Sequence, residues 1–143
     1  MLARRGMFVA MRTFERSHKL EGSFVNVFDS NLALVSNPVI GPRSWGLWLD
    51  VTSRLHGKPR LLWASANVLA LNERSKWTGL FCAGPLSTIG AARIWRGRSA
   101  MGAVRACNRE GHELTITAKG DGETLLLTWP NAPDGAAIRV EWE

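Results

Sequence analysis

The densest set of side chains able to do chemistry is Arg93-Ile94-Trp95-Arg96-Gly97-Arg98, extended by Arg105 and Arg109. Guanidinium groups around an indole suit phosphate clamping and base stacking, the combination that single-strand binders use. The same arginines also suit a plainer role, the favoured one, lying along a solvated strand edge or pairing with Glu110, Glu113 and Glu123. Indoles form the second candidate set. Trp45 shares a face with Leu47, Leu49 and Val51, whereas Trp48 falls on the opposite face beside Gly46 and Asp50. An indole at 48 is either covered by a second layer, the favoured reading, or open for binding. If exposed and coplanar, Trp45, Trp48 and Trp95 would be stacking platforms for a carbohydrate.

Other chemistry has less to work with. His18, His56, His112, Cys82 and Cys107 are scattered, without the Cys-x-x-Cys or His-Glu-x-x-His spacing that zinc needs. Ala83 to Ala92 carries glycines near both ends, but a phosphate loop wants Lys and Ser or Thr after its second glycine, and Ala91-Ala92 follow Gly90. Aspartate is confined to Asp29, Asp50, Asp121 and Asp134, some of them in evident turns, which leaves paired-carboxylate hydrolysis short of partners. A Cys82–His56 nucleophilic pair would have to be assembled in space, and a buried structural cysteine is the favoured reading. No enzyme, no cofactor and no metal are expected.

The elements that would carry these residues are strands. Leu114, Ile116 and Ala118 alternate with Glu113, Thr115 and Thr117; Leu125, Leu127 and Trp129 alternate with Thr124, Leu126 and Thr128; Ile138, Val140 and Trp142 alternate with Arg139, Glu141 and Glu143. Lys119-Gly120-Asp121-Gly122 reads as a tight hairpin, and Pro130 to Gly135 as a break, so the three strands are expected to form a meander. A fourth strand over Ala100–Ala106 closes in the turn Asn108-Arg109-Glu110-Gly111, its small residues suited to close approach by another sheet or chain. Ser23 to Val35 predicts two short strands around Asp29-Ser30-Asn31, and Trp45 to Thr52 another. Residues 60–72 leave two readings open, a short helix after Pro59 or a buried strand pair, and the β surroundings favour strands.

The chain has 143 residues, enough for a real core in one domain, with an ordinary 45% apolar and 21% charged residues. Seven Trp without Tyr, and fourteen Arg against four Lys, are less ordinary. A net charge of +6 favours acidic partners such as nucleic acid, anionic glycans or an acidic protein face, although Arg-rich usage also follows from a GC-rich genome. Cys82 and Cys107 could bridge two sheets or remain free thiols, and both readings stay open. No stretch approaches the roughly eighteen apolar residues of a membrane span, and the apolar run after Arg4-Arg5 is short and interrupted by Arg12, so neither a membrane contact nor a cleaved leader is expected. Cytoplasmic synthesis is the corresponding expectation for location.

Trp95-Arg96-Gly97-Arg98-Ser99-Ala100-Met101-Gly102-Ala103-Val104-Arg105-Ala106, followed by Gly111, Leu114-Thr115-Ile116-Thr117-Ala118 and Gly122, resembles the C-terminal immunoglobulin-like module of β-galactosidase-type glycoside hydrolases of family 2. That module carries an aromatic-x-Gly-Arg strand, a Gly-containing turn and a Leu-Thr-Ile-Thr-Ala strand. The resemblance spans residues 95–122. It implies a non-catalytic β-sandwich, because the catalytic carboxylates of those enzymes belong to a different domain.

The expected molecule is mainly β, an antiparallel sandwich of Ig-like or jelly-roll-like type, with a basic N-terminal arm over 1–22 and a single domain over 23–143. Its expected role is that of a structural subunit packing into a homo-oligomer or larger protein assembly, a virion-like particle included; Trp and Arg are enriched where surfaces are buried against partners. Two alternatives stand beside it: a carbohydrate-binding module using exposed Trp, and a nucleic-acid binder using Arg93 to Arg109.

Overall fold

A computed structural model describes residues 2–5 and 8–143, with the backbone alone for 2–5. The first seven side chains of the expected basic arm therefore lie outside the described residues. The fold is mainly β and antiparallel, with one short 3-10 turn at Thr52–Arg54. It divides into two compact units, residues 1–55 and 56–143.

In the first unit, β1 (Leu2–Arg5), β2 (Phe8–Arg12), β4 (Ser23–Asn26), β5 (Leu34–Ser36) and β7 (Trp45–Asp50) form one sheet, in the order β1-β2-β7-β4-β5. Two short strands, β3 (His18–Lys19) and β6 (Val39–Ile40), pair separately. Val9, Met11 and Phe24 from the sheet meet Leu20 and Ile40 in a buried cluster, and Trp48 packs against it. The register explains the grouping. Val9 faces Trp48, and Met11 faces Gly46, so these side chains share one face of the sheet. Val9 and Met11 of β2, and Leu20 beyond it, are buried in this cluster, so the segment from 8 to 22 packs into the first unit.

In the second unit, β9 (Asn67–Glu73), β10 (Trp77–Ala83), β12 (Met101–Asn108) and β15 (Ala136–Trp142) form a sheet in the order β12-β15-β10-β9. The other sheet holds β8 (Arg60–Ala64), β11 (Ile89–Trp95), β13 (Thr117–Asp121) and β14 (Thr124–Pro130), in the order β13-β14-β11-β8. Leu80, Cys82, Ile138, Val140 and Trp142 from the first meet Leu61, Ile94, Leu125, Leu127 and Trp129 from the second in one core. This is a β-sandwich. Residues 60–72 form β8 and β9, not a helix: the two strands are split by a turn at Ser65-Ala66 and belong to different sheets.

The C-terminal strands do not form a meander. β13 and β14 are a hairpin in one sheet, while β15 lies in the opposite sheet between β10 and β12. Both β14 and β15 carry one face of large apolar residues, and those faces meet across the core, so the Pro130–Gly135 loop carries the chain from one layer to the other. Leu114 to Ile116 is likewise a crossing rather than part of a strand, and only Thr117 and Ala118 join β13. Glu113 bridges Cys107, Leu114 N donates to Ala106 O, and pairing with β14 begins at Thr117. The hairpin turn moves to Gly122, which takes φ +58.

Candidate binding surface

The structure disperses the arginines of the 93–109 segment. Arg93 is 3% exposed; its Nη1 donates to Thr124 Oγ1 at 3.2 Å and lies 3.6 Å from Asp121 Oδ2. Arg96 donates to the carbonyls of Ser99 (3.2 Å) and Gly122 (2.8 Å), tying a turn to the end of the β13–β14 hairpin. Arg98 is exposed in that turn, Arg109 is exposed in the next, and Arg105 is exposed on β12 with Arg139 of β15 as its Cα partner. Two carbonyls hold Arg96, and Asp121 and a threonine are among the partners of Arg93.

The indoles separate as well. Trp95 is only 7% exposed and offers no stacking face. Trp48 is half-buried against the core of the first unit, nearer the covered reading than the open one, with its indole Nε1 lying over Gly46. Trp45 is 72% exposed. Cys82 is fully buried, and burial pushes its thiol from 9.0 up to about 11, whereas His56 is exposed.

Around Trp45 the first unit gathers residues that the sequence did not group. Arg12 is the Cα partner of Trp45 across β2 and β7, so their side chains leave the same face of the sheet. Its Cζ sits 5.4 Å from the centre of the Phe14 ring, a cation–π distance. Phe28 meets Trp45 edge to face, with ring centres 5.2 Å apart at 69°. Phe14 and Phe28 are both well exposed. Arg12, Thr13, Phe14, Arg43, Ser44 and Trp45 line an open groove of about 580 Å³.

Thr13 organises this groove. It is buried, its hydroxyl donates to Gly41 O at 2.5 Å and accepts from Ser44 N at 3.0 Å, and its own N–H donates to Ser44 O at 2.7 Å. The turn so pinned begins with Gly41-Pro42, and Arg43 follows in the left-handed region at φ +55. Pro at the first central position and positive φ at the second fit a type II turn, which ordinarily wants Gly or Asn where Arg43 stands. Arg43 N donates to Phe14 O at 2.6 Å, which fixes the strained arginine beside the exposed rings.

In the second unit, β9 ends its sheet. Leu69 is 55% exposed and Leu71 is exposed beside it. The strand contains neither Lys nor Pro, and the carboxylate of its single charged residue, Glu73, accepts from Leu61 N at 2.7 Å. One bulge interrupts its ladder with β10, opposite Phe81 and Cys82, leaving Ala70 to Glu73 in regular pairing.

Comparison with known proteins returned no matching family model, no matching curated protein and no matching solved structure.

Proposed function

We propose that this protein is a non-catalytic structural subunit that associates with further copies of itself through the β9 edge. The observation that carries this reading is an edge strand with exposed apolar side chains and, among the described residues, no strand paired along its outer side. Edges of this kind in natural sheets are ordinarily blunted by Lys, Pro or a bulge; the sequence Asn67-Val-Leu-Ala-Leu-Asn-Glu73 has neither Lys nor Pro, and its one bulge, at Leu69, leaves Ala70 to Glu73 regular. An antiparallel copy would satisfy the backbone groups and cover Leu69 and Leu71. The pairing would continue a four-stranded sheet into an eight-stranded one.

Light scattering at low and high salt tests this. The expected result is a salt-resistant mass of two or more copies that falls to one copy in a Leu69→Lys/Leu71→Lys variant whose thermal melt is retained. A wild-type mass of one copy at every concentration overturns the reading.

A further inference from the structure

We propose that the groove around Trp45 binds single-stranded nucleic acid, with exposed rings stacking bases and Arg12 and Arg43 holding phosphates. This site is independent of the β9 edge. Its argument begins with the combination of side chains, since three well-exposed aromatic rings, Phe14, Phe28 and Trp45, accompany two arginines within one small unit. Exposed aromatic rings are sequence-tolerant stacking platforms, and guanidinium groups beside them follow a phosphodiester backbone; Trp45, the most exposed of the three, is the main platform, since Arg12 already lies over Phe14.

The lining also separates ligand classes. No carboxylate or side-chain amide lines the groove to accept from the hydroxyls of a neutral glycan. The two hydroxyls present are already engaged: Thr13 donates to Gly41 O, and Ser44 Oγ donates to Pro42 O at 3.2 Å. The rest of the lining is cationic and aromatic, which suits an anion carrying flat rings. The volume of about 580 Å³ falls within the usual range of small-ligand sites, so it seats one part of a strand while the rest runs across the surface.

Backbone strain supplies an independent argument. A left-handed arginine is disfavoured where glycine is not. The turn nevertheless places Arg43 there, with Thr13 and the Phe14 carbonyl holding it. Those bonds fix the Arg43 backbone beside Phe14 and so keep its side chain at the rim of the groove it lines.

Fluorescence anisotropy of the full chain provides the test, using a labelled dT oligomer of about ten nucleotides, an abasic phosphodiester of equal length and a sulfated heparin oligosaccharide. The dT oligomer is expected to bind saturably at low salt, at least about fivefold more tightly than either of the other probes. Trp45→Ala should weaken it about tenfold. Arg43→Gly should weaken it comparably and lower the salt slope by about 0.7, while its melt stays at or above wild type because glycine relieves the turn. Arg98→Ala, outside the groove, should change nothing. Absence of saturable dT binding, equal binding of the abasic or sulfated probe, or unchanged affinity in Trp45→Ala would each overturn the proposal.

Discussion

Cys82 and Cys107 flank the same strand, β15, and pair with its successive residues Ala136 and Ala137, which sends their side chains to opposite faces of the sheet. They cannot bridge each other in this register, and both are free thiols. Cys82 points into the core, whereas Cys107 is only partly covered.

A disulfide reagent at neutral pH is therefore expected to modify Cys107 in the native protein and to reach Cys82 only after unfolding. Because burial raises Cys82 from 9.0 to about 11, the folded state holds this proton more tightly than the unfolded chain does. The corresponding stability is constant below pH 9 and is lost as pH rises from 9 to 11. Urea midpoints measured across that window should fall more steeply for the wild type than for Cys82→Ala; parallel curves would contradict the assignment.

Gly90 and Gly120 should respond oppositely to alanine. A Cβ on Gly90 would lie 2.5 Å from the Trp129 ring and 2.6 Å from Asn131 Oδ1, whereas one on Gly120 meets nothing within 4 Å. Trp129 is fully buried and cannot withdraw. Gly90→Ala is expected to cost about 2 kcal/mol or more, and Gly120→Ala to be neutral or to stabilise by about 0.5 kcal/mol, read from urea denaturation.

Arg93 is expected to behave as a structural residue. Arg93→Ala removes a buried side chain together with its bonds to Thr124 and Asp121, and should cost about 2 kcal/mol, while Arg98→Ala stays within about 0.5 kcal/mol. Asp121 is well exposed, so lost packing and the threonine bond account for most of that difference. Equal effects of the two variants in thermal melts would refute this division.

Thr13→Val keeps the shape of the side chain and deletes the hydroxyl that serves both Gly41 O and Ser44 N. A loss of about 1–2 kcal/mol is expected, with faster hydrogen exchange at Ser44 as its local signature. Unchanged exchange there would mean that the 41–44 turn holds itself.

Much of the fold was legible as faces. The alternations at 124–130 and 136–142 name the buried sides correctly, because a period of two reports which side chains avoid water. Alternation carries no information about the neighbouring strand, so β14 and β15 read as one meander although they lie in opposite layers. Arg93 reads as a surface residue by type, and its burial follows only from the assembled fold. Around Trp45, the Gly41-Pro42 signal marked a turn, but Arg12, Phe14 and Phe28 come from separate segments whose meeting depends on pairing between β2 and β7 and on the local turns. The β9 edge was hidden for the same reason: an edge is defined by the absence of a second partner, which a run of apolar residues does not encode.

The position of β15 also bears on how the second unit is made. The connections β8–β9, β10–β11, β11–β12, β12–β13 and β14–β15 all pass from one sheet to the other, so neither sheet corresponds to a contiguous stretch of chain. As a nascent chain leaves the ribosome, β10 and β12 lack the strand that joins them until residues 136–142 have followed. Until then the inward faces of Leu80, Cys82 and Ala106 have no completed layer around them, and the wall opposite the hairpin of β13 and β14 lacks β15 between β10 and β12. Closure is thus a late, long-range event in the synthesis of this unit, slow in the manner of non-local β topologies, and the interval before it is when the chain is most open to pairing with a neighbour.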